Sequence, residues 1–113
     1  MIISVTGGRE YKDSDRVYST MDSLLESHKI SGVIHGGARG LDSIVDSWCK
    51  SRGVHSIRVD ALWDSLGKKA GSVRNEFMTS LRPKLCVVFS GGSGTLDMKN
   101  RCIRKLIPIL EVK

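Results

Sequence analysis

Three glycine-rich segments each directly follow a short run of apolar and β-branched residues. The runs are Ile2-Ile3-Ser4-Val5-Thr6, Gly32-Val33-Ile34-His35 and Leu85-Cys86-Val87-Val88-Phe89. The segments that stop them are Gly7-Gly8, Gly36-Gly37 with Gly40, and Ser90-Gly91-Gly92 with Gly94. Such a run, halted by glycine, reads as a buried strand ending in a tight turn. Beyond each turn the apolar residues recur three and four apart, the spacing of one helix face. The chain is thereby restricted to repeated strand–turn–helix units.

The first helix carries Val17, Met21, Leu24 and Leu25, is capped by Asp13 or Ser14, and ends near His28-Lys29. The second carries Leu41, Ile44, Val45, Trp48 and Cys49, and Gly53 closes it in the C′ position. Val54 to Val59 forms a third strand, followed by a long connection from Asp60 to Gly71 with no periodicity of its own. Long connections in compact domains often carry function. Ser72 is expected to cap a helix bearing Val73, Phe77 and Leu81, closed by Arg82-Pro83. Thr95 to Lys105 forms a last helix with Met98 and Cys102 four apart, and Leu106 to Val112 a last strand.

The order βαβαβαβαβ predicts an α/β fold, a Rossmann-like three-layer sandwich of about five mostly parallel strands covered on both faces. A length of 113 residues suits one domain spanning 1–113. No window reaches the ~18 apolar residues of a membrane span, and the N-terminus lacks the basic flank and cleavage site of a signal peptide. A cytoplasmic protein without membrane association is expected. Cys49, Cys86 and Cys102 are odd in number, lack C-x-x-C spacing and sit in apolar runs, so they read as core thiols. His35 has no second histidine or carboxylate at ligand spacing, so neither a metal nor a cofactor is called for.

A net charge of +6 favours anionic partners. The positive residues are scattered, which favours a small anion over a nucleic-acid backbone. In parallel α/β sheets ligands bind beyond the carboxyl ends of the strands, where every glycine pair here lies. Gly7 and Gly8 stand beside Arg9, Gly36 and Gly37 beside Arg39, and Gly91-Gly92-Ser93-Gly94-Thr95 opens a helix whose free N–H groups suit an anion. Neither a Walker pattern nor G-x-G-x-x-G is present, so an NTPase and a standard dinucleotide dehydrogenase are not supported. Asp42 is a candidate for a ribose hydroxyl, Trp63 for stacking on a base, and Lys68 for a phosphate. Asp42 equally suits the first turn of any helix, and Trp63 equally suits packing.

Four motifs in order resemble the YspA-type (cpYpsA-related) branch of the SLOG superfamily: Gly7-Gly8-Arg9-Glu10-Tyr11-Lys12-Asp13, His35-Gly36-Gly37-Ala38-Arg39-Gly40-Leu41-Asp42, Gly67 to Asn75, and Gly91 to Thr95. The wider superfamily includes the cytokinin-activating nucleotide phosphoribohydrolases, the DNA-processing protein DprA, and sensors of NAD-derived signals. The resemblance implies a nucleotide or a nucleotide-derived ligand, including NAD- or ADP-ribose-derived ones, held by a sensor or sequestering module. It also implies a homodimer or higher homo-oligomer. Two alternatives stand beside it, a nucleotide N-glycosidase and a DprA-like binder of single-stranded DNA. In the hydrolases an Arg-Lys-x-x-Met motif supplies a catalytic arginine. Arg74-Asn75-Glu76-Phe77-Met78 is similar, which gives Arg74 that role and Asn75 a contact beside it. Their glycine loop ends in a glutamate, where this chain has Met98, and a thioether cannot act as acid or base. Hydrolysis would recruit Asp97, expected to point about 100° away on a helix, or Glu76.

Overall fold

The computed structural model describes all residues from Met1 to Lys113. Five strands, β1 (Ile2–Thr6), β2 (Gly32–His35), β3 (His55–Arg58), β4 (Cys86–Val88) and β5 (Ile109–Glu111), form one sheet in the order β3-β2-β1-β4-β5. Every pairing is parallel, with Ile3 opposite Val33 and Val5 opposite Val87. The chain steps outward from β1 to β3, then returns to place β4 on the other side of β1. The order of winding therefore reverses between β1 and β4, the place where a doubly wound sheet opens a crevice.

Alternation along the strands divides the core into two layers. Ile3, Val5, Val33, Val87 and Phe89 pack under α1 (Ser14–Ser27) and α2 (Leu41–Arg52) through Val17, Met21, Leu41, Val45 and Trp48. Ile34, Cys86 and Val88 face α4 (Ala70–Ser80) and α5 (Ser93–Arg104) through Met78, Met98 and Cys102. Asp13 caps α1 by accepting from Arg16 N, and Gly53 ends α2 in the left-handed region at φ 68°. Trp48 is fully buried, and its Nε1 donates to Asp22 Oδ1 at 2.9 Å, tying α2 to α1. The three cysteines are buried free thiols. No helix is long and apolar enough to cross a membrane.

Four local expectations are corrected. The connection after β3 holds a short helix, α3 (Trp63–Leu66), and a single 3-10 turn at Gly67–Lys69, so α4 begins at Ala70. Ser72 is not its cap; its hydroxyl donates back to Lys69 O at 3.1 Å. Val73, Phe77 and Leu81 face solvent, 47%, 54% and 44% exposed, while Ala70, Asn75, Met78 and Thr79 turn inward. The last strand starts at Ile109, because Leu106 takes a positive φ of 60° in a turn and is 90% exposed.

Candidate functional site

A cavity of about 650 Å³ opens beyond the carboxyl ends of β1, β2 and β4, within the size range of small-molecule sites. Its floor is Val5 and Thr6, and its walls come from the three glycine loops and from α4. The loops are packed on one another through main chain. Gly8 N donates to Ser90 O at 2.9 Å, and Leu41 N donates to Gly8 O at 3.1 Å. Gly40 makes the second contact possible, since at φ 76° a Cβ there would stand 2.5 Å from the carbonyl oxygens of both Gly8 and Arg9.

The second loop is held from within. His35 is buried, and its Nδ1 accepts from Gly37 N at 3.0 Å, so its proton sits on Nε2, 2.6 Å from Ser56 Oγ. Ser56 in turn donates to Asp46 Oδ1 at 2.6 Å. Burial holds His35 below its ordinary pKa against the pull of Asp42 and Asp46. Asp42, also buried, accepts from Ala38 N at 3.2 Å, and its carboxyl is raised by burial despite hydrogen bonds from the loop. The N–H groups of this loop therefore serve internal acceptors.

At the third loop the main chain is open. Ser93, Gly94 and Thr95 form the first turn of α5 rather than a loop. The first intrahelical bond runs from Leu96 N to Gly92 O, and no side chain caps the helix. Three N–H groups with no intrahelical partner thus face the cavity at the positive end of a 12-residue helix.

Adjacent residues of α4 span the cleft. Arg74 Nη1 donates to Gly36 O at 2.8 Å and its Nε to Asn75 Oδ1 at 3.1 Å. Asn75 Nδ2 donates to Gly94 O at 3.2 Å and to Asp97 Oδ2 at 3.0 Å. Arg101 Nε donates to the same Asp97 oxygen at 2.9 Å. Burial pushes the Asp97 carboxyl up, but the bonds from Arg101 and Asn75 outweigh it and hold the group low, as a carboxylate. At the mouth, the Arg9 guanidinium lies over the Trp63 ring, 5.4 Å from its centroid.

Of the residues singled out in the sequence, Gly7, Gly8, Arg9, Gly36, Asp42, Trp63, Lys68, Arg74, Asn75, Gly92, Ser93, Gly94, Thr95 and Asp97 line this one cavity. Gly37, Arg39, Gly91 and Glu76 do not. Gly37 packs against Arg58, and Gly91 lies behind the third loop against Gly8 and Thr95. Arg39 points outward and pairs with Glu10. Glu76 pairs with Arg101 and Lys105 outside the cleft, which holds its carboxyl low. Met98 is fully buried in the core, and its neighbour Asp97 faces the cavity, the reverse of the orientation expected from the glutamate motif. Thr6 lines the floor unanticipated; two polar residues, Ser4 and Thr6, on one face of an otherwise apolar strand were the available signal. No group of three or more histidine, cysteine or acidic side chains gathers as a metal would require.

A family model described as "YspA, cpYpsA-related SLOG family" matches residues 1–65, which take in the first two loops and Trp63. The Gene 61 protein of Mycobacterium phage D29 is 33% identical over 116 residues, an alignment covering 96% of this chain and 93% of that protein.

Proposed function

The chain belongs to the YspA, cpYpsA-related SLOG family, and from that premise we propose that it binds a nucleotide or nucleotide derivative as a sensor or sequestering module. The observation that carries the reading is the uncapped start of α5 opening into the same cavity as Arg9, Lys68 and Arg74. A phosphate accepts hydrogen bonds from main-chain N–H groups and gains from the helix dipole. Trp63 offers an aromatic face at the mouth, where a base can stack. Isothermal titration and thermal shift against nucleoside monophosphates, ADP-ribose and cyclic ADP-ribose isomers test it. Saturable heat with one of them is expected; no heat and no shift with any of them overturns the reading.

Asp97 favours a second reading, cleavage of a nucleotide N-glycosidic bond. A carboxylate held ionised in the cavity suits stabilisation of an oxocarbenium ion or activation of water. It is a poor proton donor for the departing base, and so is Glu76. Asp42 is the cavity carboxyl whose burial favours the protonated form, so the acid role falls to it. Chromatography after incubation at high protein concentration tests this reading. Free base appearing with one nucleotide, and lost in Asp97→Asn, supports it; no base from any nucleotide removes it.

A further inference from the structure

Arg9, Lys68 and Arg74 line the cavity, and none has a carboxylate oxygen within ion-pair distance. Four arginines outside the cavity are matched, Arg39 with Glu10, Arg52 with Asp22, Arg58 with Asp60, and Arg101 with both Asp97 and Glu76, while Arg16, Arg82 and Arg104 are not. Arg9 meets only the Trp63 ring, and Arg74 only Gly36 O and the Asn75 amide. Asp42, the acid closest in influence to Arg74, is engaged by the N–H of Ala38. Burial lowers the Arg74 guanidinium, Asp42 and Asp60 raise it, and the like charge of Arg9 lowers it further. Cations that share a half-enclosed site and lack an ion-pair partner gain from an anion supplied from outside.

The other electropositive feature of the cavity lies elsewhere. Arg74 sits over the end of β2, Lys68 follows β3, and Arg9 follows β1, between them and α5, which begins beyond the end of β4. β2 and β4 flank β1, so their ends are two strand spacings apart, about 10 Å. A single phosphoryl group is too small to touch both places. On the floor, Thr6 is 9% exposed, and no hydrogen bond of the protein uses its hydroxyl. By strand alternation Thr6 shares the face of Ser4 that α4 and α5 cover, so its side chain borders the cleft between them. The hydroxyl is not sealed off from the cavity, so a partner for it comes from there.

We propose that the cavity has two anion subsites, one formed by the Ser93, Gly94 and Thr95 N–H groups with the Thr6 hydroxyl, the other by Arg9, Lys68 and Arg74, and that its ligand is a nucleotide bearing two phosphoryl groups set apart by at least its sugar. The inference rests on the nucleotide reading above and narrows it. Contiguous phosphates, as in a nucleoside diphosphate, fill one subsite and leave the other open.

Isothermal titration of the full chain with each ribonucleoside as its 5′-monophosphate, 5′-diphosphate and 3′,5′-bisphosphate tests it. For the preferred base, the bisphosphate is expected to bind ~10-fold or more tighter than either of the others, the gain of one added charge-assisted contact. In a doubly substituted Arg9→Gln, Lys68→Gln protein, checked for folding by circular dichroism, that preference should collapse to less than ~3-fold. A wild-type preference within ~2-fold, or a diphosphate that binds as tightly as the bisphosphate, overturns the two-subsite proposal while leaving nucleotide binding intact. Absence of binding by all three forms of every base removes the nucleotide reading as well.

Discussion

The guanidinium of Arg74 occupies the space that a side chain would need at Gly36. It donates to the carbonyl of that residue at 2.8 Å, and a Cβ built there would stand 2.7 Å from Arg74 Cζ. Gly36 is therefore what allows α4 to reach across the end of β2, and the two residues act as one unit. Gly36→Ala is expected to expel the arginine without unfolding the chain, because the displaced atoms are the far end of a flexible side chain. Nucleotide affinity should fall by about as much as in Arg74→Ala, ~1.5–3 kcal/mol for a lost charge-assisted bond. Arg74→Lys should not restore it, since an ammonium lacks the fork that meets Gly36 O and Asn75 together. Titration of the three variants checks this, and wild-type affinity in Gly36→Ala would separate Arg74 from binding.

Restoring the glutamate of the hydrolase motif by Met98→Glu is expected to damage the protein rather than activate it. Met98 is fully buried beside Met78, Cys86 and Cys102, and an unpaired carboxylate there costs on the order of 3–5 kcal/mol. Urea denaturation should show that loss, with no gain in release of free base. A Met98→Glu protein as stable as wild type would mean that α5 can turn residue 98 toward the cleft.

This pair also marks where sequence patterning stops informing. The strands and their glycine stops are legible because a parallel sheet buried on both faces demands near-continuous apolar runs, and the two layers follow from period-two alternation. The rotation of a helix over a polar cleft is less so. In α4 the stripe Val73, Phe77, Leu81 has the right spacing for a core face, yet it faces outward, because the inner side must present Arg74 and Asn75 to the cavity while Ala70 and Met78 meet the sheet. The same difficulty placed Asp97 away from the cleft. Arg39 adjoins a glycine loop as Arg9 does, but Glu10, far off in sequence, draws it outward, a contact that no local pattern reports.

Acidification should weaken the fold through His35. Its neutral ring accepts from Gly37 N and donates toward Ser56 Oγ, while Asp42, Asp46, Arg58 and Asp60 set its field. Burial lowers its pKa below the ordinary 6.5, so the unfolded chain takes up the proton first. Stability is then full above 6.5 and is lost as pH falls from there toward the folded value. Denaturation midpoints measured between pH 8 and 5 should decline over that range, and in His35→Gln the decline should be shallower. An equal slope in both proteins would assign the pH dependence to other groups.

Trp63 and Trp48 give two reporters with opposite surroundings. Trp48 is fully buried between α1 and α2, hydrogen-bonded to Asp22 and away from the cleft. Trp63 is 48% exposed at the cavity mouth, under the Arg9 guanidinium. A base entering the cavity must share the indole face with Arg9 or displace it, and either event changes the solvent and charge around that ring alone. Nucleotide addition is therefore expected to shift the emission of the wild-type protein, and Trp63→Phe should abolish the change while leaving the Trp48 signal. Trp63→Ala should weaken binding by ~1–3 kcal/mol, the range for base–aromatic stacking, without lowering thermal stability as removal of a core tryptophan would. Binding unaffected in Trp63→Ala would leave the ring as a cover beside Gly71, where an added Cβ would stand 3.4 Å from its Cη2, and would place the base on another wall of the cavity.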